Sequence, residues 1–280
     1  MNPEDEPDAE AILEPPRFEV LPLPGVVDAA AHVPPAGAVT VTCSPTRGLD
    51  ESLRVTEDLV GRGLSVVPHV AARLVSGPGH VRAIVRRLDA LGVRDVFVVG
   101  GDSKTPAGPY ATGLDLLRAL ADAGHGFDEI GVPAYPEGHP HVPVDVLSEV
   151  LCAKQAFATY LVTQMCFDGP PVLGWLDDAR RRGVWLPAYI GLPGIVDRAK
   201  LLRISVKIGV GDSARFLKKN RTGVARLVRP GSYSPEQLVK RLAVGARDRD
   251  RAVRGFHLFT FNEVEATAQW ARQLGALVAA

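Results

Sequence analysis

Short apolar runs rich in valine and aromatic residues alternate along this chain with longer amphipathic segments. The runs are FEVLP from Phe18, AVTVTC from Ala38, LSVVPHV from Leu64, RDVFVVGG from Arg94, IGVPAYP from Ile130, TYLVTQMCF from Thr159, VWLPAYIG from Val184 and GFHLFTF from Gly255. Between them, DESLRVTEDLVGRG, GPGHVRAIVRRLDALG and YATGLDLLRALADAG carry apolar residues at three-and-four spacing and end on a glycine, the marks of helices and their stops. Strand and helix in alternation is the pattern of βα units around a parallel sheet. Eight such strands in about 250 residues predict an α/β chain folded as a (β/α)8 TIM barrel, because a doubly wound open sheet usually has fewer strands. The interval between the seventh and eighth runs is the longest, so the region from Pro193 to Arg254 is expected to hold extra helices or a long loop.

Ahead of the first run, MNPEDEPDAEAILEPP carries six acidic residues, no basic ones and four prolines. Such a segment cannot bury a core, so residues 1–16 are expected to form a mobile acidic arm and residues 17–280 a single catalytic barrel domain. The whole chain balances 32 basic against 32 acidic residues, which argues against nucleic acid or an anionic membrane as partner and favours a small molecule. No apolar run approaches the roughly 20 residues of a membrane span, and the N-terminus has neither a basic start nor an apolar signal core, so a cytoplasmic location is expected. Composition carries no signal of oligomeric state. Cys43, Cys152 and Cys166 are odd in number, widely spaced and free of any CxxC pair, and read as reduced, buried small hydrophobes.

A barrel of this kind builds its active site at the C-terminal ends of its strands, so the polar residues that close each apolar run are the candidates. They are Glu19 within the first run, then Thr42, His69, Asp102, Tyr135 with Glu137 and His139, Gln164 and Asn262. Glu19 stands between bulky apolar neighbours, where desolvation would keep a carboxyl protonated and fit it for general acid work. Spacing alone leaves a glutamate on a solvent-facing strand end equally open. In VVGGDSKTPAGPY the paired glycines Gly100 and Gly101 would let the backbone approach a flat ligand, and Asp102 just beyond suits adjacent N–H donors such as those of an amino-pyrimidinone; a tight turn capped by Asp102 is the bland reading. The stretch fits neither GxGxxG nor GxxxxGK[ST]. His69, His139 and His141 show no metal-binding helical spacing, so no metal is expected. The basic segment DSARFLKKNRTGVARLVR, Asp212 to Arg229, reads as a solvated face, with the alternative that it attracts a polyanionic tail of a substrate or cofactor.

Taken in order, FEVLP, VTVTCSPT, VVPHVAAR, VVGGDSKTPAG, PAYPEGHP, VTQMCFD and GFHLFTFN resemble the methylenetetrahydrofolate reductase family. The resemblance implies a (β/α)8 barrel that reduces 5,10-methylenetetrahydrofolate to 5-methyltetrahydrofolate with electrons from NADH or NADPH. It implies Glu19 as the acid that protonates folate N10, Asp102 as the carboxylate that holds the pterin and favours the 5-iminium cation, and Gln164 as a further folate contact. Thr42, His69, Gly101, Tyr135, His139 and Lys154 would face the redox cofactor. Most members use FAD and carry a pattern like DxxxLKxKVxAGA before the sixth strand. Here that interval reads VDVLSEVLCAKQAFATYLVTQ, keeping Lys154 but placing Val150 and Ala153 at polar positions, and Gly100 stands where an arginine usually precedes Gly-Asp. Loss of charge-assisted contacts to a pyrophosphate costs on the order of a few kcal/mol. FAD is therefore doubtful, and the chain resembles a short branch that passes hydride directly from NADH and lacks the long C-terminal regulatory region of eukaryotic members. Alternatives are an FAD-dependent ping-pong reductase of the same family, a folate-binding methyltransferase barrel, and a non-catalytic folate- or flavin-binding barrel.

Overall fold

A computed structural model of the chain describes residues 13–139, 142–197, 200 and 232–274. Eight parallel strands close into a barrel: β1 (Arg17–Val20), β2 (Ala38–Val41), β3 (Ser65–Ala71), β4 (Asp95–Val99), β5 (Glu129–Ala134), β6 (Tyr160–Thr163), β7 (Ala188–Pro193) and, after a two-stranded antiparallel pair formed by β8 (Val196–Asp197) and β9 (Ser232–Tyr233), β10 (Val253–Phe259). The barrel closes where β1 pairs with β10, Arg17 opposite His257 and Glu19 opposite Phe259. The connecting helices are α1 (Val26–Ala29), α2 (Gly48–Gly61), α3 (Pro78–Ala90), α4 (Gly113–Ala123), α5 (Val144–Lys154), α6 (Gly169–Arg181), α7 (Glu236–Ala246) and α8 (Val264–Ala271). This is the predicted TIM barrel.

Alternation along each strand sorts the side chains into two layers. Phe18, Val20, Val39, Val41, Val66, Val96 and Leu258 point outward and join the helices in one large buried cluster. Val67, Phe97, Tyr160, Val162 and Tyr189 form a separate cluster that fills the barrel interior. Both faces of the sheet are thus buried, which is why the strands read as continuous apolar runs. Local signals set the helix ends: Pro78 occupies the first turn of α3, and Thr112 with Asp115 makes a reciprocal capping box at the start of α4.

The seventh strand departs from expectation. The apolar run begins at Val184, yet β7 begins at Ala188. The Val184 amide bonds back to Ala179 O and that of Gly183 (φ 85°) to Arg180 O, so these residues close α6 instead. Pro187, with no N–H for the ladder, then separates that turn from the strand.

The floor of the barrel is a polar plug. The Arg17 guanidinium lies 4.3 and 4.1 Å from the Tyr160 and Tyr189 ring centroids, donates to Tyr160 Oη (2.7 Å) and pairs with Asp95 at 2.9 Å. Burial pushes the Asp95 carboxyl up to about 6, while Arg17 beside it pulls the other way. Glu14, within the stretch expected to be a mobile arm, is fixed to this floor: its amide donates to Arg254 O (2.6 Å), and its carboxylate accepts from Arg254 Nε (2.7 Å) and from Tyr189 Oη. Between Pro193 and Arg254, the described residues hold the β8–β9 pair, α7 and a single 3-10 turn at Arg249–Arg251. The basic segment Asp212 to Arg229 lies outside the described residues, as do residues 1–12 of the arm.

Candidate active site

At the opposite end, Glu19 projects into the barrel. Phe18 and Val20, its bulky neighbours in sequence, point to the outer layer, so they do not desolvate it. Two buried histidines from other strands surround it instead. His257 of β10, 2% exposed, places Nε2 3.0 Å from Glu19 Oε2; His69 of β3, 7% exposed, places Nε2 3.9 Å from the same oxygen. The Glu19 side chain is 17% exposed. Burial drives His69 down to about 4, with Glu19 opposing that shift and His257 adding to it, so His69 is neutral at physiological pH. The Glu19 backbone is equally constrained. Its carbonyl accepts from Thr260 Oγ1 (2.6 Å) and Thr260 N (3.2 Å), a clamp across the seam where the barrel closes.

Thr42 follows β2. Its Oγ1, together with Thr40 Oγ1, His69 Nε2 and His257 Nδ1, is buried with no hydrogen-bond partner among the described residues. Orphaned polar atoms at a strand-end mouth fit a bound ligand that would satisfy them. Asp102 lies exposed on the loop after β4. That loop is ordered by Arg73, which donates to Ser103 O (2.5 Å), Lys104 O (2.6 Å) and Ala111 O (3.2 Å). Gly101 sits at φ 88° with space for no side chain, since a Cβ would stand 2.9 Å from Ala71 Cβ. Tyr135 follows β5. Burial and the charge of Asp102 push its phenol up to about 12, which brings the two residues into one electrostatic neighbourhood, and His139 packs edge-on against its ring at 5.0 Å.

Tyr135 also lines a cavity of about 120 Å³ between α5 and α6 that contains Lys154 and is walled by Val150. Lys154 is 8% exposed, and burial alone lowers it to about 8. Gln164 follows β6 with its Oε1 accepting from the Met165 amide (2.9 Å), so its NH2 is the end left to donate to a ligand. The mouth thus gathers Glu19, Thr42, His69, Gly101, Asp102, Tyr135, His139 and Gln164 at successive strand ends, with Lys154 one cavity away. Asn262 has a different task. Its side chain holds Leu21 N (2.8 Å) and Leu21 O (3.0 Å), fixing a turn in which both Phe261 (φ 50°) and Asn262 (φ 65°) are left-handed. Glu137 is exposed, and His141 lies outside the described residues.

Sequence reasoning missed His257, Arg73 and an apolar shelf formed by Met165, Val196, Phe259 and Phe261 with Phe167. The inward position of His257 was available as a signal: in GFHLFTF it alternates with Phe256 and Leu258, both outward. Burial pushes the Cys43 and Cys166 thiols up, away from nucleophile chemistry. Among the described residues no three His, Cys, Asp or Glu side chains gather as metal ligands, and no helix is long and apolar enough to cross a membrane.

A family model described as methylenetetrahydrofolate reductase matches residues 27–210. Among curated proteins, methylenetetrahydrofolate reductase 1 of Schizosaccharomyces pombe (strain 972 / ATCC 24843) is 26% identical over 214 residues, 70% of this chain and 34% of its own length. Methylenetetrahydrofolate reductase 2 of Saccharomyces cerevisiae (strain ATCC 204508 / S288c) is 28% identical over 123 residues, 40% of this chain and 20% of its own. The chain therefore spans about a third or less of the length of these relatives. Among solved structures, a protein of Burkholderia cenocepacia J2315 provisionally described as a lyase/mutase superposes with TM-score 0.50 at 16% identity, covering 95% of this chain and 82% of that one, a likeness of fold alone.

Proposed function

The chain belongs to the methylenetetrahydrofolate reductase family, and from that premise we propose that it reduces 5,10-methylenetetrahydrofolate to 5-methyltetrahydrofolate, with NADH as the direct donor and Glu19 as the acid. The observation that carries the reading is Glu19 itself: a carboxyl at the base of the mouth, hydrogen-bonded by the buried His257 and flanked by the buried His69, with a second carboxylate, Asp102, exposed on the loop after β4. In this reading Glu19 gives a proton to folate N10. The bond from N10 to the bridging methylene breaks with its electron pair staying on N10, leaving an iminium at N5 whose carbon accepts a hydride. Reduced nicotinamide supplies that hydride when bound. Asp102 accepts from the pterin N–H groups and favours the cation by its charge. Gln164 donates from its NH2. Phe259 and Phe261, partly exposed and backed by the buried Met165, suit stacking of flat rings.

The orphaned Thr42 Oγ1 and His69 Nε2, with Tyr135 and His139, would hold a bound nucleotide, and Lys154 in the adjoining cavity would hold its phosphates. The choice of NADH over a resident flavin rests on the sequence, where Val150 and Ala153 stand at positions that are polar in the flavin-binding pattern; the cavity itself offers Lys154 and Arg182 as cations. Holding two reactants in register supplies much of the acceleration expected of such a site. The reading places the protein in the cytoplasm, where reduced folates and NADH are found together.

The test is steady-state kinetics on the purified protein together with its visible spectrum. A colourless protein that oxidises NADH with methylenetetrahydrofolate, giving intersecting double-reciprocal lines, fits the proposal. Flavin absorbance with parallel lines refutes direct transfer. Glu19→Gln is expected to lower kcat by about 10²–10⁴-fold, the usual contribution of a general acid, with an unchanged circular dichroism spectrum; retained activity refutes the acid role.

A further inference from the structure

Both histidines that flank the acid approach the same oxygen, Oε2, while Glu19 Oε1 meets no partner among the described residues. The two contacts differ in kind. At 3.0 Å His257 Nε2 makes a hydrogen bond; at 3.9 Å His69 does not. The other nitrogen of His257, Nδ1, is buried without a partner. A proton on Nδ1 would be a buried donor with nothing to bond, and would leave the bare Nε2 lone pair facing a carboxylate oxygen. A proton on Nε2 removes both penalties, because the tautomer of a histidine follows the hydrogen bond its ring can make. From these contacts we infer that His257 is the positioning residue of the acid: in its neutral Nε2–H form it donates to Oε2 of Glu19, fixes the carboxyl rotamer, and leaves Oε1 as the oxygen that carries the proton to the substrate.

The surroundings support that role. The charged and titratable groups that neighbouring strands turn toward this part of the interior are Arg17 and Glu19 of β1, His69 of β3 and Tyr189 of β7. Arg17 is committed to Asp95 and the two tyrosines of the floor, and His69 is kept neutral, so neither competes for Oε2. His257 itself is 2% exposed and packed against the Phe259 ring at 5.0 Å, which restricts its own rotation. In the proton-transfer step the proton leaves Oε1 for N10 while the Nε2–H bond stays in place and stabilises the carboxylate left behind. His257 is neither oxidised nor protonated in the cycle.

This inference rests on the proposed reaction, and the experiment has one arm that does not. Long-range ¹⁵N–¹H spectra of the wild-type protein, with His257 assigned by its absence in His257→Gln, are expected to show protonated Nε2 and bare Nδ1; protonated Nδ1 overturns the inference whatever the protein catalyses. In the kinetic arm, His257→Leu fills the space without a donor and is expected to lower kcat by about 10²-fold, the effect of a misplaced catalytic group, with KM for folate and NADH changed by less than about threefold. His257→Gln, which keeps an N–H, is expected to recover at least tenfold of that loss. Equal losses in both variants, or a loss confined to KM, overturn it. A wild-type protein inactive on methylenetetrahydrofolate refutes the functional reading instead, and the tautomer then decides the pairing by itself.

Discussion

His69 sets a pH dependence of stability that can be worked through from the structure. Burial lowers its folded-state value from 6.5 to about 4, whereas in the unfolded chain the imidazole titrates near its ordinary value. A depressed folded value means that the contribution to stability is fully present above 6.5, begins to fall as the pH drops below it, and is exhausted near 4. At about 1.4 kcal/mol for each tenfold change in proton affinity, the full span is roughly 3 kcal/mol. Near pH 5 this one residue should tilt stability by about 1 kcal/mol per pH unit. Asp95 works in the opposite direction, since its folded value is raised to about 6, so a raw stability–pH curve mixes the two. The clean assay is urea unfolding of wild type and His69→Gln at several pH values from 4.5 to 8, plotted as the difference between them. Asp95 is common to both proteins and cancels. The wild type should lose stability relative to the variant progressively below pH 6.5; a difference flat across that range refutes the claim that His69 is held neutral by burial.

Three further outcomes are expected. Arg17→Met should cost about 3–5 kcal/mol, because it leaves Asp95 buried without its cation; adding Asp95→Asn should restore part of the loss in urea titrations. Gly101→Ala should lower Tm by several degrees, through a left-handed φ of 88° costing about 1–2 kcal/mol plus the clash with Ala71, and should raise KM for folate by moving Asp102. Lys154→Met should stabilise the fold at pH 7 by about 2–3 kcal/mol, since the wild-type ammonium is charged below its lowered value of about 8 and has no compensating partner among the described residues; calorimetry should show NADH binding weakened in the same variant.

The architecture was legible because its signals are local. Seven of the eight strands lie where the apolar runs predicted them, as do α2, α3 and α4, since strand alternation, helical spacing and glycine stops act within a few residues. The miss at Val184 has the same origin turned around: an apolar run next to a proline serves equally to close a helix or to open a strand, and only the bond from Val184 N to Ala179 O decides between them. The candidate site was legible as a set of strand ends but not as a set of contacts. Asn262 qualified by position, and its side chain is fully occupied holding Leu21. Glu14 looked like part of a solvated acidic arm until the floor of the barrel supplied Arg254 and Tyr189 as partners.

Glu19 shows most clearly what each level determined. Its position near the end of the first strand, and so its place at the mouth of a barrel, follows from the sequence alone. The environment that fits it for chemistry does not. The apolar neighbours that suggested desolvation, Phe18 and Val20, face the helices, because adjacent residues on a strand point to opposite sides. The groups that do surround it, His69 and His257, come from β3 and β10, the latter 238 residues away in the chain. They meet Glu19 because closing the barrel sets β10 beside β1 and turns alternate residues of all eight strands toward one axis, a convergence that no local pattern encodes.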